Sequence, residues 1–294
     1  MNLSPGALLR AKLNERRGLL VPGCGNALAA RVIEMLRFEA IYLSGAGVTN
    51  SFYGIPDLGL IHLGDVVQHT AAVRDAVQLP LIVDADTGFG NALNVRQTVR
   101  ALERAGANAI QLEDQVMPKK CGHFAGKGVI EAAEMVGKIR AAVDVRSSDD
   151  FLLIARTDAR AVHGLEDALE RAQRYAEAGA DVTFVEAPTS IGELERIAQL
   201  PLPQVVNVVI GGKTPALAAS EFARMGFGMV LYANAALQGA VRGMTNALSQ
   251  LQQLGILEEN PALVATFAER QALVHKDVFD ELDQRYGAED RRIR

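Results

Sequence analysis

What most constrains the fold of this chain is a repeated alternation. Eight short apolar runs, at residues 19–22, 40–43, 79–83, 109–112, 151–155, 182–185, 205–208 and 229–232, are separated by stretches of helical length. A continuous apolar run of four or five residues suits a parallel strand buried on both faces. The stretches between are amphipathic. Val95, Val99 and Leu102 share one face of residues 94–104, and Leu165, Ala168, Leu169 and Ala172 share one face of 165–178. The units also echo one another. Ala105-Gly106-Ala107 leads to a run ending at Glu113, and Ala178-Gly179-Ala180 leads to one ending at Glu186, each pair 73 residues apart, about two βα units. Eight such units predict a closed (β/α)8 TIM-type barrel. A six-stranded open sheet would leave two runs unexplained. Ser190 with Glu193 reads as a capping box, Thr214-Pro215 as a helix start, and Asn260-Pro261 as the start of a last helix over 262–285. The expected division is a catalytic barrel over 1–255 and a C-terminal helical extension over 256–294. The apolar face of that extension must pack on its own barrel or on a neighbouring subunit.

Composition enters as a set of exclusions. Thirty basic against 35 acidic side chains give a net charge of −5, and no basic run favours nucleic acid. No apolar run approaches the roughly 20 residues needed to span a bilayer. The start of the chain lacks a basic-then-apolar leader pattern. Two cysteines, Cys24 and Cys121, in a chain of 294 residues fit a reducing compartment, so a cytoplasmic location is expected.

In a barrel of this type, functional groups gather after the C-terminal strand ends. Those ends read Ser44-Gly45, then Asp84 and Asp86, Glu113-Asp114, Arg156 and Asp158, Glu186, and Asn207. A single polar residue there is often a helix cap, but a whole ring of buried like charges needs a compensating cation. Asp84, Asp86 and Glu113 form an all-oxygen set suited to Mg²⁺, with Mn²⁺ the other option, and Asp57 can join through a water. The alternative is that Asp84 and Asp86 pair with Arg156 and Lys119. Arg156 offers a fork for a carboxylate, or a salt bridge to Glu186. Ser44-Gly45-Ala46-Gly47 lets backbone N–H groups approach an anion. Cys121 lies in an aperiodic, lid-like segment with Gly122 and Gly126, and its neighbours Lys119, Lys120 and His123 would favour its thiolate if they lie close in space.

These pieces, in order, resemble the isocitrate lyase and phosphoenolpyruvate mutase superfamily: Ile41-Tyr42-Leu43-Ser44-Gly45, Pro56-Asp57, residues 83–90, Leu112-Glu113-Asp114-Gln115, Lys119 to His123, residues 155–159 and Glu186-Ala187. The Lys-Lys-Cys-Gly-His signature resembles the carbon–carbon lyases of the group. The resemblance implies Mg²⁺ held by Asp84 directly and by Asp57, Asp86 and Glu113 largely through water. It implies that Tyr42, Ser44, Gly45 and Ala46 hold an α-oxy-carboxylate near Arg156, with Gly122, Glu186 and Asn207 also at the substrate. Catalytic roles are expected for Cys121 as proton donor, Lys119 and His123 beside it, and Tyr42 or a metal-linked carboxylate as base. A homotetramer, as a dimer of helix-swapped dimers, is implied as well.

Departures narrow the substrate. Phe124-Ala125-Gly126 stands where tricarboxylate lyases tend to carry a basic residue, and Gln238 falls near another of their cations. Residues 207–215 look like the dimethylmalate lyase and oxaloacetate hydrolase branch, although that branch often has an acidic residue at Ile210, and relatives often have aspartate at Asn26. The expected activity is cleavage of an alkylated malate to a 2-oxo acid and a carboxylic acid. The alternatives are 2-methylisocitrate lyase, oxaloacetate hydrolase or decarboxylase, and phosphonomutase or phosphonopyruvate hydrolase chemistry.

Overall fold

A computed structural model of the chain describes residues 3–122 and 126–287. Eight parallel strands close into a barrel in sequence order: β1 (Leu19–Cys24), β2 (Ile41–Leu43), β3 (Leu81–Asp84), β4 (Ala109–Glu113), β5 (Leu152–Thr157), β6 (Val182–Val185), β7 (Gln204–Asn207) and β8 (Met229–Tyr232). Closure is direct, with Leu19 of β1 opposite Met229 of β8. Each apolar run of the sequence became a strand, the expected result for segments buried on both faces. The helices are α1 (Pro5–Asn14), α2 (Ala27–Met35), α3 (Gly45–Val48), α4 (Leu63–Ala76), α5 (Ala92–Arg104), α6 (Ala132–Val143), α7 (Leu165–Glu177), α8 (Ile191–Ala198), α9 (Ala219–Met225), α10 (Ala235–Leu254), α11 (Phe267–Leu273) and α12 (Lys276–Gly287).

The barrel interior is a packed core. Val21, Tyr42, Ile82, Ile154, Phe184, Val205 and Met229 form one cluster, with Leu9 and Leu13 of α1 in the same cluster. Full burial of each such leucine contributes about 1.5–3 kcal/mol. Two further clusters fill the space between the strands and the helices. Strand alternation decides who faces where. On β4, Leu112 joins an outer cluster, while Gln111 turns inward to accept from the Tyr42 hydroxyl at 2.9 Å.

Local capping explains several sequence features. Asn26 accepts from Ala29 N at 2.9 Å, so it caps α2. Ser190 caps α8 through Glu193 N, but the returning Glu193 carboxylate takes Thr189 N at 2.7 Å instead of closing a box on Ser190. Thr214-Pro215 does not start a helix. The nearest helix begins at Ala219, with Glu221 accepting from Ala218 N at 2.9 Å. The last helix is also corrected: Asn260-Pro261 lies in a turn, Thr266 caps α11, and His275 at φ 54° breaks the chain before α12.

The chain divides into two compact units, Met1–Leu237 and Gln238–Arg294. No residue of α10, α11 or α12 is buried, and Val241, Met244, Leu248 and Leu251 leave an apolar stripe at alternating three- and four-residue spacing on α10. Among the described residues, no helix is long and apolar enough to cross a membrane.

Candidate active site

A cavity opens among the strand ends. Of the residues singled out in the sequence, Tyr42, Ser44, Ala46, Asp57, Asp84, Glu113, Lys119, Cys121, Gly122, Arg156 and Asn207 line it. Gly45, Asp86 and Glu186 stand just behind that surface. Gly45 N donates to Asp84 Oδ2 at 3.2 Å, and a Cβ there would sit 3.2 Å from the same oxygen. Asp86 adopts a left-handed φ of 46° and donates its N–H to Asp84 Oδ1. His123 lies outside the described residues.

The acidic wall is paired partly as the sequence allowed. Lys119 reaches Asp57 Oδ1 at 2.6 Å and Asp86 Oδ1 at 2.8 Å. Arg156 turns to other partners: Asp158 at 2.9 and 3.1 Å, Glu186 at 3.4 Å and Glu113 at 3.5 Å. Its guanidinium also lies 5.1 Å from the centre of the Phe184 ring. Asp86 Oδ1 has an ion pair but no aligned hydrogen bond, and Glu113 Oε1 is buried with no hydrogen-bond partner. Burial therefore raises the Asp86 pKa to about 7 against the pull of Lys119, and raises Glu113 well above the usual carboxylate range against Arg156.

The unsatisfied Glu113 oxygen beside Asp84 and Asp86 fits a cation held mostly through water. Among the described residues, no three His, Cys, Asp or Glu side chains converge to ligate one ion directly. Mg²⁺ commonly uses one or two carboxylates and keeps several waters, so this spacing suits it better than an all-protein cage would.

Tyr42 is buried, with its hydroxyl donating to Gln111, whose Nε2 in turn donates to Asp84 Oδ1 at 3.4 Å. Burial, then the Asp84 charge, raises its pKa well above 10. In that state the phenol keeps its proton and donates it to Gln111. Neither cysteine is bridged. Buried Cys24 is pushed up to about 12 and is chemically quiet, whereas Cys121 faces the cavity.

Sequence reasoning did not pick out the wall opposite the carboxylates. Val209, Leu231, Ala233 and Asn234 line it, and Asn234 Oδ1 accepts from Ser44 Oγ at 3.3 Å. Gly122 fits where no side chain would: a Cβ would meet Arg156 at 2.4 Å and Glu186 at 2.6 Å.

The phosphoenolpyruvate phosphomutase family model matches residues 9–252. A 2,3-dimethylmalate lyase of Eubacterium barkeri is 40% identical over 286 residues, covering 97% of this chain and 99% of that one. A 2-methylisocitrate lyase of Aeropyrum pernix is 46% identical over 252 residues, covering 85% and 81%. Among solved structures, a 2,3-dimethylmalate lyase of the PEP mutase/isocitrate lyase superfamily superposes with a TM-score of 0.90 at 33% identity, covering 98% and 97%.

Proposed function

The chain belongs to the phosphoenolpyruvate mutase/isocitrate lyase superfamily, and on that premise we propose that it is a Mg²⁺-dependent carbon–carbon lyase acting on a 2-hydroxy dicarboxylate of the alkylmalate type. The observation that carries this reading is the composition of the cavity. The cavity is lined by the carboxylates of Asp57, Asp84 and Glu113, the last with a buried oxygen that has no hydrogen-bond partner, together with Cys121, Arg156 and the apolar residues Val209 and Leu231. The carboxylate wall suits a cation, Arg156 suits a substrate carboxylate, and the apolar patch suits an alkyl group rather than a third carboxylate. A third carboxylate buried without a cation would cost several kcal/mol.

Asp84, with Asp57, Asp86 and Glu113 at longer reach, would hold the ion. When bound, it supplies positive charge that stabilises the oxygen atoms of the 2-oxy-carboxylate. Ser44, Gly45 and Ala46 present the turn against which that end of the substrate rests, with the Tyr42 side chain beside it. Arg156 is anchored by Asp158 and Glu186, so it meets a substrate carboxylate without reorganising. A carboxylate of the acidic wall takes the 2-hydroxyl proton. The C2–C3 bond then breaks to a 2-oxo acid, and Cys121 delivers a proton to C3 of the departing fragment. Asn207 and Lys119 hold the cavity's polar edge, and His123 is assigned a place beside Cys121 by the resemblance.

A panel of alkylated malates and oxaloacetate with Mg²⁺, read by product identification, tests the proposal. The expected result is a 2-oxo acid from an alkylmalate. Cys121→Ser should lose at least about a hundredfold in kcat while still binding Mg²⁺ and pyruvate. Turnover of phosphonopyruvate alone would favour the phosphorus branch of the superfamily. The apolar stripe of α10 supports assembly into a homotetramer through exchanged helices. Leu248→Glu should shift the sedimentation coefficient to a smaller species. A cytoplasmic location completes the proposal.

A further inference from the structure

The segment between β4 and α6 is tied at its base. Gln115 pairs with Val129, Val116 N donates to Gly128 O at 2.9 Å, and Ile130 N donates to Asp114 O at 2.8 Å. The Gln115 amide also exchanges bonds with the Lys120 backbone at 2.8 and 3.0 Å. One side chain reaches from this segment onto β5's end. Lys127 Nζ donates to Gly122 O within the segment and to Asp158 Oδ1 at 2.7 Å. Its side chain is 2% exposed, and that of Asp158 is 0% exposed.

Burying an ammonium costs several kcal/mol unless acceptors replace its water. Here one acceptor belongs to the lid and the other to the barrel, so both are met only with the lid down. Asp158 is the same carboxylate that grips Arg156 through Nε and NH2. Its backbone N–H is fixed in turn by Asp114 at 2.9 Å. The Gly122 carbonyl is one residue from Cys121, so the same ammonium fixes the backbone that carries the thiol.

We propose that Lys127 is a positioning residue: a latch that ties the backbone at Gly122 to Asp158, so that Cys121 stands over the cavity on the same carboxylate that orients Arg156. The consequence for the reaction rests on the reading of Cys121 as proton donor. The latch itself does not.

The test compares Lys127→Met with Lys127→Arg in the full chain, with folding checked by thermal melting. In ligand-free protein, iodoacetamide labelling of Cys121, followed by peptide mass spectrometry with Cys24 as the buried control, should run about tenfold faster in Lys127→Met. Lys127→Arg should stay within about threefold of the parent, because it restores the charge and the donors. In turnover, Lys127→Met should lose about a hundredfold in kcat with KM changed by less than about threefold. Unchanged labelling in Lys127→Met overturns the latch. So does an arginine variant as impaired as the methionine one, since the lysine would then serve only as local packing. Faster labelling in Lys127→Met with no malate cleaved by the parent protein leaves the latch standing and sinks the substrate reading instead.

Discussion

Glu113 and Asp114 are consecutive residues at the end of β4, and both side chains are shut away from solvent, yet they live in different chemical surroundings. Asp114 accepts from the Thr157 hydroxyl at 2.7 Å, the Tyr175 hydroxyl at 2.8 Å, Asp158 N at 2.9 Å and Arg171 NH1 at 3.2 Å. Glu113 has a guanidinium 3.5 Å away and one oxygen with no hydrogen-bond partner. Pleating separates them: Glu113 points into the lumen with Gln111, and Asp114 points out toward α7. Asp114 is saturated by the fold and so serves the fold. Glu113 is left short by the fold, which leaves it able to bind something the chain does not supply. Burial raises both carboxyls, but for Asp114 the donated hydrogen bonds work against the shift.

The widest test of that contrast removes the saturated member. Asp114→Ala leaves Arg171 and the Tyr175 hydroxyl without their buried acceptor and should cost about 4 kcal/mol in urea unfolding. Glu113→Gln should do the reverse, lowering kcat/KM by about a hundredfold, or about 2.7 kcal/mol, while leaving the unfolding midpoint the same or higher. A Glu113→Gln protein that turns over normally would erase the distinction.

Proton linkage offers a third, smaller effect. Asp86 holds its proton to about 7 in the fold and has a reference value of 3.8. Between those values the folded chain binds more protons than the unfolded one, so stability without metal should fall as pH rises from about 4 to 7. Asp86→Asn should flatten that slope, and so should saturating Mg²⁺, which favours the charged form. Denaturation midpoints at pH 5 and pH 7.5 measure it. Last, Tyr175→Phe removes one of the donors to Asp114 and should cost about 1 kcal/mol, with kcat unaltered.

How much of this was readable beforehand depends on how local the signal is. The eight strands were legible because burial on both faces writes itself as unbroken apolar runs. The ring Asp84, Glu113, Arg156 and Asn207 was legible because strand ends in such a barrel converge. The orientation of Asp114 was also available, since Gln111 and Glu113 differ from Leu112 and Asp114 by one step of the pleat. Leu231, Ala233 and Val209 were not legible as a site wall, because apolar residues at a strand end look the same whether they face a core or a cavity. The partnership of Lys127 with Asp158 spans 31 residues and has no periodic trace. Asn260-Pro261 and Thr214-Pro215 misled for the opposite reason: a favourable first turn was present, but the segment after it was not held in helical form by packing.

One glycine sets a boundary on what descendants of this chain could become. A Cβ at Gly122 would collide with the Arg156 and Glu186 side chains, so a larger residue above the cavity would displace the charged pair. Diversification is channelled to the far bank, where Val209 and Ala233 carry no charge and make no part of the ion-paired cluster. New specificities should therefore arise at the ends of the last two strands, while the roof stays frozen.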